Sequence, residues 1–240
     1  MNKTNKVIIF DGDDTLWRTQ ELYNRAKNRF IKLMEVEGFD TNNIIDLKDN
    51  IDAQRVEILK FSKTRFMESL LITYAFLCGK YNKNWNIKVE SKIREIGLSV
   101  FRPPKLYKDT IRTLKNLKKF FKLVLFTEGE KEIQIYKIQS LGSKFKSYFY
   151  KIYICEMKEE EKLLKILNDL CVPREKVWIV GNSVRSDINP ALRLGLKAIL
   201  INRKTWKYED EKLLEGNVFI VNSVKEAAKI ILKKGKNGIK

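Results

Sequence analysis

The stretch KVIIFDGDDTLW, Lys6–Trp17, decides the fold. Its first half, Lys6–Asp11, is a short apolar run closed by an aspartate. Its second half is a turn rich in Asp and Gly. A run of this length bounded by turn residues reads as a strand buried on both faces, the kind found inside parallel sheets. Working outward, the same signature returns at KLVLFT (Lys122–Thr127), KIYIC (Lys151–Cys155), VWIVG (Val177–Gly181) and AILI (Ala198–Ile201), with Val218–Val221 as a possible edge strand. Helical patterns separate the later runs, at Lys131–Leu141, Lys158–Leu170, Asp187–Leu194 and Val224–Leu232. Alternation of strand and helix predicts an α/β fold with a doubly wound parallel sheet.

The first connection breaks this rhythm. More than a hundred residues lie between the strand ending at Asp11 and the one starting at Lys122, far beyond an ordinary crossover. Glu21–Glu37 carries a helical stripe at Leu22, Ala26, Phe30 and Leu33, and Ala53–Cys78 and Ile87–Leu98 also read as helices. Pro103 and Pro104 stop this segment before another helix, Leu106–Phe120. The expected organisation is therefore an α/β core of residues 1–17 and 103–240, with an all-α domain of residues 18–102 inserted after the first strand.

Composition narrows the chemistry. The chain of 240 residues is 44% hydrophobic and 32% charged, enough to build a packed core. It contains 0 histidines, which excludes histidine bases, Ser-His-Asp triads and histidine-held zinc. The three cysteines, Cys78, Cys155 and Cys171, are odd in number and lack a C-x-x-C spacing, as expected for free thiols in a reducing cytoplasm. Met1–Lys6 is polar, and the longest apolar stretch, Leu70–Cys78, is too short to span a bilayer, so a cytoplasmic location without membrane contact is expected. The net charge of +18 comes from lysines scattered along the chain and reads as solvated faces; no specific nucleic-acid partner is expected.

In an open parallel sheet, ligands bind beyond the carboxyl ends of the strands. There the sequence places Asp11, Asp13, Asp14 and Thr15, then Thr127, Glu128 and Gly129, then Lys158, then Asn182, Ser183 and Asp187. Carboxylates, a hydroxyl and a lysine converge on one edge.

These pieces resemble the haloacid dehalogenase-like (HAD) superfamily, specifically its phosphatase branch. A strand followed by D-x-D-x-T stands here as VIIFDGDDTL, the Ser/Thr ending the second strand as LFTEG, the lysine as CEMKEEEK, and the late acidic motif as VGNSVRSD. The four occur in order over about residues 6–201, and the helical insert matches the family's cap. The resemblance implies that Asp11 attacks phosphorus and forms an aspartyl-phosphate. Asp13 would protonate the leaving oxygen and then activate water. Thr127 would hydrogen-bond the phosphoryl oxygens, and Lys158 would offset negative charge, with Lys162, one turn on, as its substitute. Glu128, Gly129, Trp17 and Arg18 are the further substrate contacts expected. Three carboxylates in one crevice repel unless a cation sits among them, and hard oxygen ligands suit Mg2+; Asp11, Asp13 (partly through its carbonyl), Asp187 and Asn182 are the expected ligand set.

One departure stands out: Asn182 occupies a position where the family usually has aspartate, so it is either a neutral ligand or a plain turn residue. Thr127 could also cap the following helix, and Asp187 the helix after it. An acid at Asp13 favours phosphate esters over carbon–halogen or phosphonate substrates. A sugar phosphomutase on the same scaffold, or a basic binding module with a decayed site, are the alternatives. A small phosphorylated metabolite is the expected substrate, for a monomer or homodimer. Arg25, Arg65, Tyr74 and Trp85 of the insert are further candidate contacts.

Overall fold

The computed structural model describes residues 6–203, 208 and 211–236. Among these residues, six parallel strands form one sheet in the order β5-β4-β1-β6-β7-β8. The strands are β1 (Val7–Phe10), β4 (Lys122–Glu128), β5 (Lys151–Cys155), β6 (Val177–Gly181), β7 (Lys197–Ile201) and β8 (Val218–Val221). Each apolar run of the sequence is a strand, and Val218–Val221 is the edge.

Side-chain alternation along the strands builds a core on each face. Ile8, Phe10, Leu123, Leu125, Trp178 and Val180 point to one face, where they pack with Leu114 and Leu117 of α5 (Thr110–Leu117) and Ala227 and Ile231 of α10 (Val224–Lys236). Val7, Ile9, Val124, Phe126, Val177 and Ile179 point to the other, against Leu163 and Leu167 of α8 (Glu160–Leu170) and Ala191 of α9 (Asn189–Arg193). β1 lies between β4 and β6, in register Ile8↔Leu123 and Ile8↔Trp178. The tip of β1 is therefore flanked by the tips of its two neighbours. A short antiparallel ribbon pairs β2 (Trp17–Arg18) with β3 (Lys105–Leu106).

The chain divides into two compact units, one holding the sheet and the other spanning residues 19–102, with Tyr208 grouped in the second. The second unit is helical, comprising α1 (Gln20–Val36), α2 (Ile44–Leu59), α3 (Arg65–Lys80) and α4 (Ile87–Leu98). Its core gathers Ala26, Phe30, Met34, Leu70, Tyr74 and Ile93. The single helix expected over Ala53–Cys78 is two, α2 and α3. The chain breaks at Lys60, whose φ of 52° and ψ of −143° no helix accommodates. No Gly or Pro marks that break in the sequence. The helix expected from Leu106 starts later, at Thr110, because Lys105–Leu106 is spent on the ribbon. Among the described residues no helix is long and apolar enough to cross a membrane.

Candidate active site

The loop after β1 folds back on itself over Gly12. Asp11 N–H donates to Val180 O at 2.9 Å, extending the β1–β6 ladder one residue past the strand. The Gly12 carbonyl accepts Leu16 N–H at 2.9 Å. A Cβ on Gly12 would lie 2.3 Å from the Trp17 ring, so only glycine lets the indole close over the turn. Asp14 takes a left-handed φ of 54°, a conformation Asp tolerates better than most residues. Thr15 Oγ1 donates to Asn182 Oδ1 at 3.1 Å, tying the loop to the residue that follows β6.

The centre of the site is Lys158. Its Nζ lies 2.6 Å from Asp11 Oδ1 and 2.6 Å from Asp187 Oδ1, and all three side chains are buried. Each partner is held from behind. Glu128 accepts the Lys158 backbone N–H, and its other oxygen accepts Ser186 Oγ–H at 3.3 Å. Asp187 Oδ2 accepts Ser183 N–H at 3.1 Å. Asp187 sits in a wide π-type turn, Val184–Ile188, which opens with Ser183 Oγ accepting Ser186 N–H at 2.8 Å. A Cβ on Gly181 would fall 2.1 Å from Asp187 Oδ2, so the bare glycine makes room for that carboxylate. Lys162, the alternative lysine, turns away: its Nζ donates to Met157 O at 3.0 Å and pairs with Glu159 at 3.4 Å.

The charges here do not cancel. Burial pushes the Asp11 carboxyl up to about 7, and the anions of Asp187 and Asp13 add to that push while Lys158 opposes it. Burial would lower the Lys158 pKa, but Asp11, Asp187 and Glu128 outweigh it and hold the ammonium charged.

Asp13 faces a second group of donors. Its Oδ1 accepts Trp17 Nε1–H at 2.6 Å, and Lys137 Nζ reaches Oδ1 and Oδ2 at 2.9 and 2.7 Å. Gln134 Nε2 donates to Oδ2 at 2.9 Å, and Gln134 Oε1 accepts Thr127 Oγ1–H at 3.2 Å. Thr127 is thus buried beside the loop; the helix after β4, α6 (Lys131–Ser140), has Glu130 at its N-cap and no side-chain cap. Neither does Asp187 cap α9, which starts after Ile188 with no side-chain cap.

Some expected residues take other places. Trp17 is a core residue, 0% exposed, edge-on to Phe145, and it meets Asp13 where a substrate contact was expected. Arg18 lies with its guanidinium carbon 5.3 Å from the Tyr107 ring centroid. Gly129 spends its N–H on Cys155 O at 2.8 Å, and the Glu128 carboxylate holds Lys158 and Ser186. The Asn182 amide oxygen faces Thr15. In the helical unit, Arg65 pairs with Asp52, Tyr74 packs 4.6 Å from Trp85, Trp85 donates to Glu90 at 2.7 Å, and Arg25 donates to Glu21 O at 3.2 Å. Gln134 and Lys137 were not foreseen. Their signal is faint: α6 buries two polar side chains and Ile138, with no apolar stripe.

Asp11 and Asp187 fit a hard divalent ion. They are buried carboxyl oxygen donors converging on one point, where among the described residues they share the Lys158 ammonium. The Asp13 carboxylate is turned to α6, so its part in a metal shell would fall to its carbonyl. Among the described residues no three His, Cys, Asp or Glu side chains converge tightly enough to hold an ion unaided.

The chain is similar in sequence and in fold to known proteins. The chain is 27% identical over 232 residues to the glyceraldehyde 3-phosphate phosphatase of Methanocaldococcus jannaschii, covering 94% of this chain and 96% of that one. It is 26% identical over 220 residues to the enzyme of the same name from Methanopyrus kandleri, covering 85% and 86%. A haloacid dehalogenase-like family hydrolase from Xanthomonas campestris shares its fold, with a TM-score of 0.79 at 19% identity over 97% of this chain and 96% of that one. YfnB of Bacillus subtilis, a HAD hydrolase solved bound to magnesium, superposes with a TM-score of 0.63 at 20% identity, covering 95% and 98%. The family model of haloacid dehalogenase-like hydrolases matches residues 8–201, from the first strand through β7 and across every strand-end group described above, and the chain belongs to that family.

Proposed function

We propose that this hydrolase is a magnesium-dependent phosphatase that cleaves a small phosphorylated metabolite through an aspartyl-phosphate on Asp11. The observation that carries the reading is the buried bridge of Lys158 between Asp11 and Asp187, with Asp13 two residues from Asp11 on the same loop. An Asp11 oxygen attacks phosphorus in line, and the ester oxygen leaves with the electron pair of its P–O bond. Asp13 supplies the proton that neutralises that oxygen. Asp13 then takes a proton from the water that attacks the aspartyl-phosphate, releasing inorganic phosphate and restoring Asp11. Lys158 stays charged throughout and offsets the negative charge that gathers between Asp11 and the phosphoryl group. Thr127 lends its hydroxyl to a phosphoryl oxygen by exchanging Gln134 for substrate. A magnesium ion held by Asp11, Asp187, the Asp13 carbonyl and Asn182, directly or through water, would neutralise charge on the transferring group.

The two relatives of known name make glyceraldehyde 3-phosphate, and triose phosphates generally, the first substrates to try. The helical unit is read as the cap that selects among them. The test is a panel of phosphorylated metabolites with magnesium, scored by phosphate release. Turnover of a triose phosphate that stops in EDTA and returns with magnesium is expected. Full activity in EDTA would remove the metal, and silence across the panel would remove the phosphatase.

A further inference from the structure

The Asp13 carboxylate is held by more donors than a loop aspartate needs. Trp17 Nε1, Lys137 Nζ and Gln134 Nε2 all reach it within 2.6–2.9 Å. Lys137 is 9% exposed and Gln134 2% exposed. A lysine is buried at a cost unless a carboxylate meets it, so packing does not explain its place here. Gln134 and Lys137 stand three residues apart on α6 and so share one face. Gln134 also spans the site, donating to Glu128 O at 2.7 Å and accepting from Thr127 at 3.2 Å. A Cβ on Gly129 would sit 2.8 Å from Gln134 Nε2, so the amide fills a place that glycine leaves open.

We infer that Gln134 and Lys137 are positioning residues for Asp13, and that they act on the second half of the reaction. This rests on the phosphatase reading above. All three contacts are donors and need a carboxylate oxygen as acceptor. They therefore hold Asp13 in the form and orientation that receives a proton. In that half-reaction a water oxygen bonds to phosphorus, the bond between phosphorus and the Asp11 oxygen breaks with its electron pair returning to Asp11, and the water proton passes to Asp13. Loosening Asp13 slows this step. Forming the aspartyl-phosphate from an ester with a good leaving group needs little help from Asp13, so it is slowed less.

The test is quench-flow kinetics with p-nitrophenyl phosphate and magnesium on the full chain, comparing Lys137→Met, Gln134→Leu and Lys137→Arg with the unaltered protein. The burst of p-nitrophenol gives the rate of formation of the aspartyl-phosphate, and the steady state gives its breakdown. Breakdown is expected to fall on the order of 10- to 100-fold in Lys137→Met and Gln134→Leu, since misplacing a catalytic group by an ångström costs that much. Formation should change several-fold less, and Lys137→Arg should regain part of the loss. Equal loss in both steps, or loss in neither, would overturn the positioning role while leaving the phosphatase standing. Absence of any covalent intermediate and of phosphate release in the unaltered protein would overturn both. If Lys137→Met does not fold, Gln134→Leu, which keeps the charge pair, carries the same comparison.

Discussion

Asp11 in the sheet unit and Asp52 in the helical unit are both buried carboxylates met by a lysine, at 8% and 2% exposure. Asp52 is over-supplied with donors: Lys48 at 2.8 Å, Ser69 at 2.9 Å, and Arg65. Burial alone would raise its pKa, but Lys48 and Arg65 outweigh burial and hold the carboxyl below the usual aspartate range. Among the described residues Asp11 meets one lysine, which it shares with Asp187, and its carboxyl rises to about 7. The ingredients are alike and the balance is opposite. A buried carboxylate met by two cations serves as internal framework; one that must share a cation is a candidate for meeting charge from outside.

That contrast is broken most decisively by Asp11→Asn. Removing the proposed nucleophile should cut phosphate release by a factor on the order of 10⁴ or more, while far-ultraviolet circular dichroism stays native. A comparable rate with the amide would mean that Asp11 is framework after all. Asp52→Ala should do the reverse kind of damage, costing about 3 kcal/mol in urea unfolding because Lys48 and Arg65 keep their charges without their shared partner. If stability is unmoved, the helical cluster is not holding its helices together.

The dependence of stability on pH sharpens the same contrast with a smaller signal. In metal-free protein, native Asp11 keeps its proton where the unfolded chain has lost it. Its contribution is complete below about 4 and is lost as pH rises to about 7, a change of no more than about 4 kcal/mol. Asp52, with a depressed pKa, contributes above the ordinary aspartate value of 3.8 and loses its contribution as pH falls through its lowered one. Asp11→Asn should flatten the neutral limb of the unfolding profile, and Asp52→Asn the acid limb. Identical profiles in the two variants would dissolve the distinction.

The sheet was legible because its strands are buried on both faces, so composition alone marks them. Each run from KVIIF to VFIV became a strand, three of them with the expected bounds and the other three with ends shifted by one residue. The candidate edge was legible for the same reason, since motifs attached to well-marked strands inherit their positions; Asp11 and Thr127 lie at strand ends, and Lys158 and Asp187 lie on the segments that follow β5 and β6. Two things were not legible. The break at Lys60 has no Gly or Pro, and only tertiary packing decides it. The supports of Asp13 lie 121 and 124 residues away in the chain, on a helix whose polar inner face resembles an exposed one. Trp17 was misplaced because an indole beside an Asp-rich strand-end loop reads equally well as a ligand contact or as a wall, and Gly12 decides for the wall.

Gly181 carries a consequence for how this protein tolerates change. The space it leaves is occupied by a carboxylate oxygen, so even a methyl group there would compete with Asp187 for the same volume. Alanine at 181 alters no charge, no hydrogen-bonding group and no apolar contact of the sheet, yet it would evict the anion that Lys158 needs on its far side. The most vulnerable atom of the site is thus a hydrogen on a residue with no chemistry of its own.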